Sequence, residues 1–169
     1  MNAGALRTAY LANFLRAIID WFAWAASAVA PPLLRIALAV PFFKSGLTKW
    51  DGFLSLSPAA AFLFEDEFKL HIFGQTYGLP TPEVFAWTDG VAEIVLPTLL
   101  VIGLATRFSA FGLLVMTGVI QLVVPEGWAN FHLPWAALAI AIIAMGPGTL
   151  SLDQLVKQRF ADPRRYLAK

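Results

Sequence analysis

The chain has 169 residues, enough for one domain, yet it is 59% hydrophobic, only 14% charged and has a mean hydropathy of +0.69. A soluble domain carries about 25% charged residues, and a fold this small cannot bury so much apolar surface in its own core, so lipid must solvate much of it. A net charge of +1 argues against a nucleic-acid partner, and the lack of cysteine excludes disulfides, thiol redox chemistry and thiolate metal sites.

Taken in chain order, Arg7 followed by an apolar run and Ala-Ser-Ala at 26–28 has the outline of a cleavable leader. Asp20 interrupts the apolar region, so the segment is expected to be retained. Residues 9–29 carry a narrow polar stripe of Asn13, Arg16, Asp20 and Ser27 at helical spacing. This fits an amphipathic helix lying in the membrane interface better than a fifth span, because two charges in mid-span are costly. Pro31-Pro32 is expected to end it and start the next helix.

The first span is expected over 33–50, kinked at Pro41. Residues 51–81 are too polar and broken to cross a membrane. They read as an ordered loop with one or two short surface helices. Further spans follow at 82–104, with Pro82 at the first helical position, at 108–124 and at 132–146. The last two lie at the short end of the roughly 17–25 residues a span requires. A polar tail covers 150–169, with Ser151 placed to cap a final helix. The fold class is therefore all-α: a polytopic four-helix membrane bundle with an additional N-terminal helix. No internal repeat is visible.

Lysine and arginine set the orientation. Nine of them (Arg7, Arg16, Arg35, Arg107, Lys157, Arg159, Arg164, Arg165, Lys169) fall on the side of the termini, against Lys44, Lys49 and Lys69 on the other. The termini are thus expected in the cytoplasm, and the 51–81 and 125–131 loops outside. At these depths Asp89 and Glu93, one helical turn apart, lie inside the membrane. Their shared face must point into the bundle, with Lys44 at similar depth as the expected partner and Lys49 at the outer rim. Pro97 cannot donate to the carbonyl of Glu93, so the deepest acid sits at an opened turn. Gly90 permits close approach of a neighbouring helix. Gln121, Thr117, His132, Glu126 and Trp128 could add to a pocket on the outer half. Arg35 and Arg107 form a pair of cations near the headgroups on the cytoplasmic side. The cluster is either a functional site or a polar clasp that orients helices. His71 and His132 are a weak metal signal, and no metal site is expected. The six tryptophans read mostly as an interfacial belt.

Three stretches resemble a known family. Residues 33–50, LLRIALAVPFFKSGLTKW, resemble the first span of the DoxX family; residues 91–110, VAEIVLPTLLVIGLATRFSA, resemble its second; MGPGTLSLD at 145–153 is similar to its C-terminal ending. Arg35, Gly46, Lys49, Glu93, Arg107 and Asp153 match the family pattern. The resemblance implies a four-helix protein of the bacterial inner membrane. Some such relatives are small subunits of thiosulfate:quinone oxidoreductases, and others accompany oxidative-stress or metal-linked gene clusters. The N-terminal helix and the long 51–81 loop depart from the shorter members.

The functional expectation is a membrane subunit of a redox-linked system, at most an accessory subunit of an oxidoreductase. It would bind a quinone or similar lipidic ligand around Glu93, with Asp89, Lys44, Lys49, Gln121 and His132 as the polar set. Without cysteine or a recognisable haem or flavin site, redox work needs a quinone or a partner protein. The alternatives are a non-enzymatic scaffold that docks a protein through the 51–81 loop, and a small carrier, which would require a homo-oligomer.

Overall fold

The computed structural model describes residues 3–160, with side chains from residue 10 onward. Arg7, Arg164, Arg165 and Lys169, counted for orientation above, lie outside the described side chains. Four helical stretches are long and apolar enough to cross a membrane: Tyr10–Thr48, Pro82–Ile102, Thr106–Val123 and Pro125–Met145.

The first helix, α1 (Ala3–Thr48), runs unbroken for 46 residues through Pro31, Pro32 and Pro41. The expected break at Pro31-Pro32 is absent. Each proline frees one carbonyl and crowds one turn, which bends a helix but need not end it. At about 1.5 Å per residue, α1 is about 69 Å long, twice the roughly 30 Å hydrocarbon core of a bilayer. Only its second half joins the bundle: burial begins at Pro31, while residues 10–29 are exposed apart from a half-buried Ala25. The additional N-terminal helix is therefore present as the first part of α1, continuous with the first span.

The bundle is completed by α3 (Pro82–Ile102), α4 (Thr106–Val123) and α5 (Leu133–Met145). Leu38, Ala39 and Phe42 of α1 meet Leu100, Ala110, Leu113, Ala139 and Ile142 in one apolar core. By itself α5 has 13 residues, too few to span. It is preceded by a 3₁₀ turn at Pro125–Gly127 and a π-type turn at Trp128–His132, so the helical stretch reaches 21 residues. The connection expected at 125–131 is thus wound into the span.

α1 and α3 pack antiparallel through two glycines. A Cβ at Gly46 would lie 2.9 Å from the Cβ of Glu93 and 3.0 Å from its carbonyl carbon. A Cβ at Gly90 would lie 2.7 Å from the indole of Trp50. Small residues here let the backbones close, as membrane helices require. At the opposite end Gly103 caps α3 at φ +72°, bonding back to Leu100.

Residues 51–81 fold over one end of the bundle, the loop end. Ser57 caps the short α2 (Pro58–Phe62) by accepting from the amide of Ala60 at 3.2 Å. A π-type turn at Leu63–Glu67 leads into an antiparallel hairpin of β1 (Lys69–Ile72) and β2 (Gln75–Gly78). The sequence predicts one or two short helices here and no hairpin. Its turn, Phe73-Gly74, takes positive φ at both positions, 50° and 76°, the geometry that usually selects Asn-Gly. Phenylalanine in that place hides the signal. Phe64 and Leu79 pack with Ala86 of α3, and the ring Nδ1 of His71 lies 3.2 Å from the carbonyl oxygen of Leu122. The amide of Ser57 donates to the carbonyl of Lys49 at 2.8 Å. Chain reversal at the opposite end leads through Gly146-Pro147-Gly148 into α6 (Leu152–Phe160), capped by Ser151.

Replacing Gly46 with valine overfills the α1–α3 contact, where the Cβ and carbonyl carbon of Glu93 and the Cδ1 of Ile94 all stand within 3.0 Å of the added Cβ. A loss of about 1–3 kcal/mol is expected, read as a lowered melting temperature of the purified protein in detergent; an unchanged melting point would mean that the two helices do not pack this closely.

Candidate functional site

Phe42, Ser45, Gly46 and Lys49 recur at helical spacing and form the face of α1 that meets α3. Lys49 sits at its upper end, one residue past the last turn of α1. Its Nζ lies 3.0 Å from Oδ2 of Asp89, bonds Oε2 of Glu93, and donates to Oγ of Ser45 at 3.2 Å. Lys49 and Glu93 are 8% and 3% exposed, and Asp89 is half-buried. Lys49, placed at the rim from sequence, therefore folds inward.

The expected partner, Lys44, is not in the cluster. Five residues before Lys49, it points about 140° away around the helix. It is exposed and borders a shallow apolar groove with Pro97, Thr98 and Val101 on the lipid-facing side of α1 and α3. Depth alone had suggested Lys44; helix phase decides for Lys49. The signal that could have shown this was the pair of glycines, since Gly46 and Gly90 mark the contact faces and Lys49 shares the face of Gly46.

Two carboxylates and one ammonium leave the cluster one proton short of neutrality. Such a group is costly in hydrocarbon unless every member is bonded. Here the lysine serves both acids and the serine. Pro97 is fully buried one turn below Glu93, so the carbonyl of Glu93 lacks its usual helical donor.

Beside the cluster lies a cavity of about 200 Å³. Lys49, Asp89, Glu93 and Ser45 supply its polar end. Its walls come from Pro41 and Phe42 of α1, Phe85 of α3, Val119, Ile120 and Val123 of α4, and Trp135 of α5. Phe64, Phe68 and Leu79 of the 51–81 segment close it from above. Phe85 and Val119 are also 39% and 41% exposed on the lipid-facing surface, so the cavity has a lateral side. None of these apolar residues was singled out in the sequence. Trp135 was read as part of the belt, but it packs on Phe42 with ring centroids 5.0 Å apart.

Gln121 and His132 find each other and not the cluster. Nδ1 of His132 lies 2.6 Å from Oε1 of Gln121, whose amide donates to the carbonyl of Pro125 at 3.1 Å. His132 is buried behind Gly127 and touches the cavity only through Trp135, 5.5 Å from it between ring centroids. Thr117 is buried and donates to Leu113 within its own helix at 2.7 Å. Among the described residues no group of three or more histidine, aspartate or glutamate side chains could hold a metal.

At the other end, the α6 end, Arg35 and Arg107 are not a matched pair. Arg35 is 2% exposed and donates through Nη2 to the carbonyl of Leu150, against Gly103 and Ser151. Arg107 is exposed and lies over Gly146. Asp153 ties α6 to α4, accepting from the amides of Ala105 at 2.8 Å and Thr106 at 2.9 Å. Burial alone would raise the Asp153 carboxyl, but these amide donors and Arg35 outweigh it and hold it below the usual range.

A bundle of four membrane-crossing helices with a bonded lysine–dicarboxylate group inside it defines a polytopic membrane protein with an intramembrane polar site. More particularly, the chain belongs to the DoxX family, whose model matches residues 30–126. It is 30% identical over 151 residues to an uncharacterized protein of Haemophilus influenzae, covering 78% of this chain and 86% of that one. It is likewise 30% identical over 144 residues to an uncharacterized membrane protein of Mycobacterium tuberculosis, covering 75% of this chain and 80% of the relative. No solved structure matches. The family match includes Lys49, Asp89 and Glu93 but leaves out the first 29 residues.

Lys49→Gln strands two acids in the bundle and should cost about 3–5 kcal/mol, the usual effect of removing one partner from a buried pair. Glu93→Gln leaves Lys49 with Asp89 and should cost less. The double variant should be more stable than Lys49→Gln alone. Thermal or denaturant unfolding of the three proteins in detergent checks this order; equal losses for both single variants would count against a shared cluster.

Proposed function

We propose that this protein is a membrane subunit of a redox-linked system that holds a quinone, or a similar ring-bearing lipidic molecule, in the cavity beside Glu93. The supporting observation is the form of that cavity: apolar and aromatic walls with the Lys49–Asp89–Glu93 cluster at one end. A quinone ring needs apolar faces around it and one or two groups that bond its oxygens and exchange protons with them. At about 200 Å³ the cavity is smaller than the roughly 300–1,000 Å³ of sites for drug-sized ligands. It suits a head group, with the isoprenoid tail leaving past Phe85 and Val119 into lipid.

In this reading Lys49 donates to a ring oxygen and Glu93 carries the proton that the cluster lacks. Reduction of a quinone to a quinol takes two electrons and two protons. The electrons would come from a partner redox protein and the protons through the carboxylates. The positive charge bias supports a reading in which the termini lie on the cytoplasmic side of a bacterial inner membrane, with the cavity in the outer half and the 51–81 segment as its cover.

A short-chain quinone added to the purified protein should raise its melting temperature by several degrees. Val119→Trp, which fills the lateral side of the cavity, should abolish the shift while the protein without quinone melts normally. Absence of any shift in the native protein, or an equal shift in Val119→Trp, would remove the quinone from this cavity.

The second reading, a scaffold that docks a protein through the 51–81 segment, is favoured by one observation. Phe73 at the hairpin tip and Phe53 are 101% and 93% exposed. Phe73 also holds a positive φ that asparagine tolerates better. Phe73→Asn should therefore keep or slightly raise stability. If the tip is a docking point, the same variant should lose a partner co-purified with the native protein; an unchanged set of partners would discard this reading.

A further inference from the structure

The α6 end carries a feature that the cavity reading does not use. α6 presents Leu152, Leu155, Val156 and Phe160 along one face, all 40–82% exposed, and among the described residues no element covers them. Those positions follow helical spacing, so the face is a continuous apolar stripe about 12 Å long. Its other face carries Asp153, Gln154 and Lys157 into a groove that is completed by Arg107 and by Gly148 and Thr149 of the Gly-Pro-Gly turn.

The charges in the groove do not cancel one another. Asp153 spends both oxygens on the amides of Ala105 and Thr106. Arg107 and Lys157 make no ion pair among the described residues. Phe108, Met145 and Leu150 stand around the groove, 80%, 51% and 70% exposed, as lipid-facing residues at the rim of a span do. Downstream of the groove the sequence stays basic, with Arg159, Arg164, Arg165 and Lys169 against a single acid, Asp162.

A helix with one exposed apolar stripe and cations beside it has the composition of a membrane-surface helix. Its place, at the end of α4 and α5, is headgroup level. From these observations we infer that α6 lies on the bilayer and that Arg107 and Lys157 bind the phosphate of an anionic phospholipid. The apolar stripe enters the acyl boundary, and the groove takes the headgroup. Arg107 offers a planar fork for the phosphate oxygens, and Lys157 a point charge from the facing helix. The Gly-Pro-Gly turn forms one wall of the groove, and the missing side chain of Gly146 leaves room for the Arg107 guanidinium, which a Cβ there would approach to 3.1 Å.

The test uses the full chain reconstituted in nanodiscs made of equal parts phosphatidylglycerol and phosphatidylcholine, followed by extraction into detergent and quantification of the lipid retained. The native protein should retain phosphatidylglycerol well above its bulk proportion. Arg107→Gln/Lys157→Gln should bring the ratio back towards bulk, with each lost cation weakening retention roughly fivefold. Lys157→Gln alone, on an exposed position, guards against misfolding of the double variant and should give an intermediate ratio. Lys69→Gln, on the far end, should leave enrichment intact. Equal retention of both lipids by the native protein would overturn the proposal. So would thermal stabilisation by inorganic phosphate matching that by phosphatidylglycerol, since the site would then serve a soluble anion. A quinone-induced shift that survives in the double variant would separate this site from the cavity.

Discussion

The structure depends on a single constraint: an ammonium and two carboxylates must be kept bonded to one another inside hydrocarbon. Lys49 meets it from the end of α1, Asp89 and Glu93 from successive turns of α3. The bonds are short only because the two helices touch at backbone distance, and they touch because Gly46 lies against Glu93 and Gly90 against Trp50. Larger residues at either glycine would move the helices apart. The acids would then lie beyond reach of the lysine, in surroundings that penalise each of them. Charge pairing and close packing are therefore one requirement met by five positions, Gly46, Lys49, Asp89, Gly90 and Glu93.

The α6 end solves a related problem with different groups. There α3 and α4 are joined by a tight turn, and the first amides of α4 need acceptors. Asp153, nearly fifty residues downstream, supplies them with both oxygens. Arg35 crosses from α1 to the carbonyl of Leu150 and lies against Gly103. The Gly-Pro-Gly turn bears on Pro31, since a Cβ at Gly148 would lie 2.6 Å from the ring of that proline. Thus α1, α3, α4 and the C-terminal segment are locked at one end, which leaves the 51–81 end as the place where a cavity can form.

Much of this was legible in the sequence, and what failed did so for physical reasons. Hydropathy located the four spans because their windows are long and almost free of charge. The i,i+4 spacing of Asp89 and Glu93 placed both acids on one inward face. Depth alone points to Lys44 as their partner. Depth is a weak coordinate for a lysine, whose stem adjusts by several ångströms, whereas angular phase on the helix does not adjust. The double proline was read as a stop, although a proline removes only one bond and the flanking turns of α1 persist. The hairpin went unseen because Phe73-Gly74 uses an unusual residue for its turn, and because neither strand alternates cleanly. The cavity itself could not be read, since Phe64, Phe68, Leu79, Val119 and Trp135 come together only through tertiary packing.

Lys49 is where the cover over the cavity leaves α1. Its carbonyl accepts from Ser57, at the start of α2, while its ammonium holds Asp89 and Glu93. The far end of the cover enters α3 at Thr81, with a left-handed φ of 44°, only two turns above Asp89. The cover is thus a strap whose two chain ends flank the charge cluster, with His71 and the Phe64–Leu79–Ala86 contact holding its middle to α4 and α3. Lifting it for a ligand would pull on the backbone of the lysine that holds the acids. The backbone hydrogen bond to the cover and the ion pairs to α3 thus meet on one residue, so the geometry of the cover and that of the charge cluster are mechanically connected.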